Sequence, residues 1–532
     1  MRRGWLAGAA ALGFCAAATV AVPAVAQKAG GILKVTHPDS PASMSIHEEG
    51  TYSVIVPMMG VFNNLILYDQ KVPQTSLASI VPELATSWAW DEDGTALTFK
   101  LRQGVKWHDG KPFTAKDVKC TWDVLAGRGS EKLRLNFREA WYENLAEVAT
   151  SGDHEAIFRL KRRQPAFVAL LASGYSPVYP CHVPLREMRQ RPIGTGPFKF
   201  VEYKPNQGIK VAKNPDYWKP GRPYLDGVEY TIIPNRSTAM LGFIANKFDL
   251  TFPYEVTVPL LKDIKSQAPQ AACEMRPVNV RVYLLLNHLA APFDKVAVRQ
   301  AMSLTLDRQA FIKILDDGQG DMGGVLLPPP EGVWGMPPDM LKDLPGYGAD
   351  KEKARAEARE LMRAAGYGPD KRLKVTVATR NLPRYRDPAA IMMDQLKDIW
   401  IDGELEPIET ANWVPKLMRK DYTVALALSG SAVDDPDPQY FENYICGTPR
   451  NVTGYCNKEL DRLIEQQSKE ADQAKRRQLV WQIERLLIEQ AVRPIIYFRR
   501  AGTCWHPPVK DFSVMVNGPY NGWRMEDVWL DR

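Results

Sequence analysis

Histidine is scarce in this 532-residue sequence, and closely spaced cysteines are absent. The seven histidines form no H-x-x-x-H or H-E-x-x-H pattern, in which two imidazoles on one helix face bind zinc. The seven cysteines include no C-x-x-C pair, which excludes zinc-ribbon and thioredoxin patterns. The sequence also lacks a G-x-S-x-G nucleophile elbow and a Walker-type phosphate loop. We therefore expect no metal site, no cofactor and no enzymatic activity.

A strong excess of one charge is also absent. The chain carries 68 Lys and Arg residues against 62 Asp and Glu residues, a balance that favours neither nucleic acid nor an anionic membrane as a partner. The only long apolar run covers residues 6–22, behind Arg2 and Arg3. Small residues then precede Gln27, an order typical of a secretory signal cleaved near Ala26. We expect export to the periplasm, by either the general or the twin-arginine route.

Strand and helix patterns alternate along the rest of the chain. Residues 96–102 and residues 373–378 alternate apolar and polar side chains, as half-buried strands do. Thr114 and Asp117 have the spacing of a capping box that begins a helix. Asp350 precedes a second amphipathic helix. Interleaving of this kind indicates an α/β fold.

One short stretch, residues 104–125, places His108 beside Asp109. A catalytic pair would need a nucleophile or a substrate carbonyl within reach, and a metal would need further ligands. Asp109-Gly110 is instead a common turn signal between a strand and a helix. We interpret His108 as part of a structural turn.

Five segments occur in an order that is typical of one protein family. They are residues 84–118, 192–230, 284–312, 350–368 and 434–468. Together they resemble the extracellular solute-binding proteins of family 5, the periplasmic dipeptide- and oligopeptide-binding receptors of ABC importers. The resemblance implies a periplasmic-binding-protein type II clamshell, with two lobes, an extra domain and two hinge crossovers. It places the first crossing near residues 192–195.

The resemblance also implies a division of the chain into a signal peptide and three domains. These are the signal peptide at 1–26, lobe I at 27–73, 194–290 and 506–532, the extra domain II at 74–193, and lobe III at 291–505.

For the ligand's amino group, the resemblance points to an aspartate before a D-P-D-like run. Asp434 is the matching residue here, and Asp435 is its neighbouring rival. A buried ammonium needs such a partner, because an unpaired buried charge is strongly unfavourable. The family has a tryptophan three residues earlier, where this sequence has Ser431, a departure that suggests a changed or enlarged cavity floor.

For the ligand's carboxylate, an arginine would give two parallel hydrogen bonds. Residues 379–390 offer Arg380, Arg384 and Arg386, and by position Arg386 best matches the carboxylate site of dipeptide receptors. Aromatic candidates for the pocket wall are Tyr52, Trp413 and Tyr440.

Six cysteines lie beyond the signal segment, and an exported protein favours disulfides. Cys446 and Cys456 flank a polar loop that is easily closed, which predicts a disulfide between them. The pairing of the other four stays open. Cys120 falls within a predicted helix, a position that also suits a buried free thiol.

The predicted function is that of a periplasmic receptor that captures peptides by lobe closure. The implied partners are a small-molecule ligand and the permease subunits of an ABC transporter, with the receptor itself a monomer. Alternative ligands are an opine or other amino-acid conjugate, a glycan, a metal complex or haem. A secreted hydrolase is a remote alternative, because no catalytic constellation is visible.

Overall fold

The computed structural model describes residues 27–516 and 518–532. The predicted signal peptide lies outside the described residues, so its cleavage stays a prediction. No helix in the described part of the chain combines the length and the apolar character needed to span a membrane.

Strands and helices alternate, as the sequence predicts for an α/β fold. The strands are β1 Ile32–His37, β2 Ile66–Tyr68, β3 Ile80–Pro82, β4 Ala85–Trp90, β5 Ala96–Leu101, β6 Leu145–Thr150, β7 Glu155–Leu160, β8 Phe198–Lys204, β9 Gly208–Lys213, β10 Gly227–Ile232, β11 Ala272–Leu286, β12 Leu373–Arg380, β13 Ile401–Ile408, β14 Val424–Gly430, β15 Ile495–Trp505, β16 Val509–Lys510 and β17 Trp529–Leu530. The α-helices are α1 Tyr52–Met58, α2 Ala115–Leu125, α3 Phe167–Ala172, α4 Leu185–Gln190, α5 Arg236–Ile244, α6 Val258–Gln267, α7 Val296–Thr305, α8 Arg308–Asp316, α9 Pro338–Leu341, α10 Lys351–Ala364, α11 Pro383–Leu396, α12 Thr410–Met418, α13 Pro436–Asn443, α14 Lys458–Lys469, α15 Gln473–Glu489 and α16 Gly518–Asn521. Short 3₁₀ helices cover Ile46–Glu48, Leu77–Ser79, Glu139–Tyr142 and Lys397–Ile399.

Three sheets organise the molecule. One has four strands in the order β1-β10-β9-β8, and a second has five strands in the order β13-β12-β14-β11-β15. The third, in the order β4-β5-β7-β6, is entirely antiparallel. The third sheet belongs to the segment that the sequence predicts as an extra domain.

The passages between the two larger sheets lie in the long neighbouring strands β11 and β15. Their pairing has a register break between Pro277 and Arg281. On the N-terminal side of this break in β11, Leu250 forms one β-bridge with Val35 of β1 and another with Trp505 of β15. These two bridges connect the β11–β15 pair with the first sheet. Beyond it, β11 pairs with β14 in the five-stranded sheet. Residues 192–195, where the sequence places the first crossing, instead connect α4 to β8, so that location is corrected to β11.

The five-stranded sheet buries both of its faces. On β11, Val282, Leu284 and Leu286 pack in one apolar cluster with α7, α10 and α11. Tyr283 and Leu285 point to the opposite face and pack with α12. This follows from the alternation of side chains along a strand. The second face is the one that borders the candidate site.

The turn around His108 is structural, as predicted. Thr114 and Asp117 form the expected capping box at the start of α2. The imidazole of His108 accepts a hydrogen bond from the Gly194 amide at 3.2 Å, and its other nitrogen lies 3.0 Å from the Gly196 carbonyl oxygen. Burial lowers the pKa of His108 to about 4, so the ring is neutral at pH 7. The two glycines are required here, because a Cβ at either position would collide with the backbone near Val61.

Three disulfide bonds join the six cysteines of the described chain. They are Cys120–Cys181, Cys273–Cys504 and Cys446–Cys456. The last confirms the sequence prediction. Cys120 is bonded to Cys181, so the free-thiol interpretation is wrong: α2 carries this residue to within 5.6 Å, Cα to Cα, of a cysteine 61 positions later.

Candidate ligand-binding site

A cavity that is partly open to solvent lies between the residues around α1 and the inner face of the five-stranded sheet. Its aromatic lining residues are Tyr52, Trp141, Tyr175, Tyr254, Tyr283, Tyr385, Trp413 and Tyr520. Its charged lining residues are Arg138, Arg380, Arg384, Glu442, Arg450, Arg493 and Arg499. A ligand of peptide size would therefore meet rings and guanidinium groups on most sides.

Two aromatic residues that the sequence predicts for the pocket line this cavity. Tyr52, the first residue of α1, donates a hydrogen bond from its hydroxyl to Glu255 Oε1 at 2.6 Å. Trp413, on α12, is buried and packs edge-to-face against Tyr385 at 6.2 Å between ring centroids. Protein contacts therefore hold both rings at the cavity wall.

Arg380 joins the two sides of the cavity. It is the last residue of β12, and its guanidinium pairs with Asp39, which follows β1. Nη2 also donates to Ser53 Oγ at 3.0 Å, and Nε donates to Thr410 Oγ1 at 2.8 Å. Burial alone would raise the pKa of Asp39, but the neighbouring guanidinium holds it well below its usual range. This buried ion pair links the first sheet to the five-stranded sheet.

Arg384 forms a second link of the same kind. Near the start of α11, it pairs with Glu255, the acceptor of the Tyr52 hydroxyl. Its guanidinium carbon lies 5.0 Å from the centre of the Tyr52 ring. Nη2 of Arg384 is buried and has no hydrogen-bond partner among the described residues. Arg384 thus carries an unsatisfied buried donor in a residue that lines the cavity, and a ligand could satisfy it.

The far wall holds the only acidic residue among the described lining residues. Glu442, on α13, accepts an ion-pair contact from Arg450 Nε at 3.2 Å. Arg493 donates to Asn443 Oδ1 at 2.7 Å and to the Asn443 and Arg450 carbonyl oxygens at 3.2 Å. Arg138, which precedes the 3₁₀ helix Glu139–Tyr142, donates to the Glu49 carbonyl oxygen at 2.9 Å, and its guanidinium carbon lies 3.4 Å from the centre of the Tyr175 ring.

Arg386 lies outside this cavity. Its side chain is exposed in a shallow surface cleft with Arg236 and Asp387. Residues two apart on a helix point in nearly opposite directions, so α11 turns Arg384 inward and Arg386 outward. Contact between Arg386 and a ligand stays a prediction.

Asp434 and Asp435 border a different cavity, which Trp334 and Tyr68 also line. Asp434 is half-buried, accepts from the Val333 amide at 3.3 Å, and has its pKa raised to about 7 by burial. Asp435 caps α13 and receives two hydrogen bonds of 2.8 Å from Arg476. A role for either residue in ligand binding stays a prediction.

Tyr440 and Ser431 are both buried. Tyr440 packs in the core between α13 and α15 and donates to the Val480 carbonyl oxygen at 3.4 Å. Ser431 lies between Gly430 and Ala432, which line the central cavity, but its hydroxyl bonds locally to Val433. Its small side chain occupies the position at which the sequence comparison expects tryptophan.

Sequence reasoning missed Glu442, Arg450, Arg138 and Arg493. Glu442 and Arg450 are eight residues apart in the sequence, and Arg450 lies within the loop that the Cys446–Cys456 disulfide closes. Arg138 and Arg493 come from distant segments. None has a motif of its own. Only the fold brings them to one cavity.

Comparison with known proteins gives a family match and full-length relatives. Residues 79–451 match the family described as bacterial extracellular solute-binding proteins, family 5 Middle. The chain is 27% identical over 464 residues to the oligopeptide-binding protein AppA of Bacillus subtilis, covering 82% of this chain and 80% of that one. It is 27% identical over 492 residues to di/tripeptide-binding protein 1 of Pseudomonas aeruginosa, covering 86% and 87%. A Helicobacter pylori periplasmic binding protein, DppA, solved in complex with the peptide STSA, has the same fold, with a TM-score of 0.83, 22% identity and coverage of 95% and 99%.

Proposed function

The chain belongs to the bacterial extracellular solute-binding proteins of family 5, and we propose that it is the peptide-capturing receptor of an ABC importer. In this role, two lobes close over a peptide in the periplasm and present the closed form to the membrane permease. The relatives named as oligopeptide- and di/tripeptide-binding proteins support this choice of ligand.

The observation that carries the proposal is the ion-paired cavity between the residues around α1 and the five-stranded sheet. The Arg380–Asp39 and Arg384–Glu255 pairs connect Asp39, which follows β1, and Glu255, which precedes α6, with β12 and α11. Contacts of this kind form only when the lobes approach each other. A ligand that binds the closed form more tightly shifts the equilibrium towards it by that difference in affinity.

The wall chemistry suits a zwitterionic backbone. Glu442 would receive the ligand's ammonium group, and the unpartnered Nη2 of Arg384 would donate to its carboxylate. Aromatic rings such as Trp413 and Tyr52 would pack on apolar parts of the ligand. Asp434 and Arg386 are the alternative partners that the sequence predicts.

The domain division is part of the same proposal. The crossings in β11 and β15 support two lobes, with the β4–β7 sheet as a third domain. We propose that the protein acts as a periplasmic monomer after removal of the N-terminal segment. N-terminal sequencing of the exported protein should begin at Gln27, and a chain that retains residues 1–26 would contradict the export proposal.

Native mass spectrometry of freshly purified protein tests the proposed ligand directly. We expect an adduct with the mass of a short peptide that disappears on mild unfolding. Isothermal titration calorimetry with a dipeptide-to-pentapeptide library should then give saturable binding. A protein that carries no adduct and binds no peptide in the library would contradict the proposed function.

A further inference from the structure

The charge on the cavity wall is unbalanced. Six arginines line the cavity, whereas Glu442 is the single carboxylate among the described lining residues. Three further carboxyl groups, which do not line the cavity, interact electrostatically with these arginines. Asp39 pairs with Arg380, Glu255 pairs with Arg384, and Asp316 lies close enough to Arg499 to favour its charged form.

Three of the six arginines have no carboxylate partner within 4 Å in the described parts of the chain: Arg499, near which Asp316 lies, and Arg138 and Arg493. Arg138 is 2% exposed, and its contacts are a backbone carbonyl and the face of the Tyr175 ring. Arg493 is 4% exposed and donates only to amide and carbonyl oxygens. Nε of Arg138 and Nε of Arg493 are both buried and have no hydrogen-bond partner among the described residues.

Glu442, whose charge opposes the lowering of the pKa of Arg138 by burial, is already paired with Arg450, and Glu49 does not neutralise Arg138 either. Glu49 offers its backbone oxygen to Arg138, while its carboxyl group accepts from Ser43 Oγ at 3.1 Å. Burial raises the pKa of Glu49 to about 7, so a large fraction of this group is uncharged in neutral buffer. The wall therefore carries more buried positive charge than its own carboxylates compensate.

An uncompensated buried cation is unfavourable, and an anion enclosed with it removes that penalty. A guanidinium also matches the geometry of a carboxylate, to which it can donate two parallel hydrogen bonds. Cation–π contact with Tyr175 stabilises Arg138 only in part. A zwitterionic peptide without side-chain charge would bring no net negative charge to this wall.

We propose that the cavity selects acidic peptides, with at least one side-chain carboxylate in addition to the terminal one, and that Arg138 and Arg493 are the residues that set this preference. The inference rests on the peptide-receptor role proposed above. It adds the chemical class of the peptide.

The first test compares three dipeptides by calorimetry with the wild-type protein: Glu-Glu, Gln-Gln and Lys-Lys. Glu-Glu and Gln-Gln have nearly the same shape, so the difference between them isolates charge. We expect Glu-Glu to bind at least tenfold, and up to about 100-fold, more tightly than Gln-Gln, with Lys-Lys weakest. Equal affinities for Glu-Glu and Gln-Gln, or tighter binding of Gln-Gln, would overturn the acidic preference.

The second test assigns the preference to residues. Arg138→Met and Arg493→Met keep an unbranched side chain and remove the guanidinium charge. Each should reduce the Glu-Glu to Gln-Gln affinity ratio at least threefold. Arg419→Met, at an exposed arginine that ends α12, is the matched control and should keep the wild-type ratio. If both buried variants keep that ratio, the assignment is refuted, whatever their stability.

A third ligand separates failure of this inference from failure of the peptide role. Tricarballylate carries three carboxylates and no peptide bond. Binding of neutral and acidic peptides alike would leave the receptor role intact and overturn the charge preference. Binding of tricarballylate without binding of any dipeptide would support the cationic wall and contradict the peptide role.

Discussion

At the scale of single residues, peptide recognition depends on which carboxylate receives the ligand's ammonium group. The sequence favours Asp434, whereas the structure places Glu442 on the wall of the central cavity and Asp434 beside another one. Replacement of a carboxylate by an amide keeps the shape and removes the charge, so the two positions can be compared directly.

We expect Glu442→Gln to weaken peptide binding at least ~30-fold, because loss of a charged hydrogen bond corresponds to about 2 kcal/mol. Asp434→Asn should change the affinity by less than about threefold. Calorimetry with one tightly bound library peptide measures both. The reverse order of effects would return the amino-group site to Asp434.

The buried imidazole of His47 makes the stability of the protein depend on pH. Burial lowers the pKa of His47 to about 3, and its Nε2 lies 2.9 Å from the Pro177 carbonyl oxygen. Between pH 6.5 and 3 the unfolded chain binds a proton at this residue and the native protein does not. Its contribution to stability is therefore lost as the pH falls through that window.

His47→Gln can keep a hydrogen bond to Pro177 but cannot titrate. The free energy of unfolding of the wild-type protein should fall more steeply than that of the variant below pH 6.5, by about 1 kcal/mol per pH unit. Urea unfolding at pH 7, 6, 5 and 4 measures both slopes. Parallel slopes would contradict the assignment of a neutral buried imidazole.

At the scale of elements, the disulfides test how the strands are connected. Cys273–Cys504 joins β11 to β15 and closes a loop of 231 residues, whereas Cys446–Cys456 closes only ten. A longer closed loop restricts the unfolded chain more strongly.

Replacing both cysteines of the 273–504 pair with serine should lower the free energy of unfolding by about 5 kcal/mol, against about 3 kcal/mol for the 446–456 pair. Guanidinium titration of both double variants gives the comparison. A larger loss for the shorter loop would contradict the chain-entropy explanation. Non-reducing peptide mapping should recover all three pairs.

Much of the element-scale structure could be predicted from local patterns. The capping box at Thr114 and the alternation in β5 and β12 depend on neighbours in sequence, and the structure agrees. The partner of Cys120 could not be predicted, because it depends on how α2 packs against a segment 61 residues away. The sequence also could not predict that Arg384 faces the cavity and Arg386 faces solvent, because this orientation depends on how α11 packs.

At the scale of the whole molecule, the family motifs predicted the clamshell, while the sheet topology was needed to place its crossings in β11 and β15. The cavity charge was also beyond prediction, because its six arginines come from four separate parts of the chain. The Arg380–Asp39 and Arg384–Glu255 pairs, which link the lobes, are expected to stabilise the closed form.

Arg380→Met should favour the open form, since it leaves Asp39 buried and unpaired only when the lobes are closed. We expect peptide affinity to fall at least tenfold, because part of the binding energy must then drive closure. Arg372→Met, which breaks the exposed pair with Asp402, is the matched control. Equal affinities of the two variants would show that the buried pair does not stabilise closure.

The central claim is that two lobes close over a small ligand, and small-angle X-ray scattering tests it most directly. The protein should first be freed of bound ligand by unfolding in guanidinium and refolding with its disulfides intact. Addition of a saturating library peptide should then reduce the radius of gyration and reproduce the scattering curve calculated for the closed structure described here. Identical curves with and without a peptide that calorimetry proves to be bound would contradict the account.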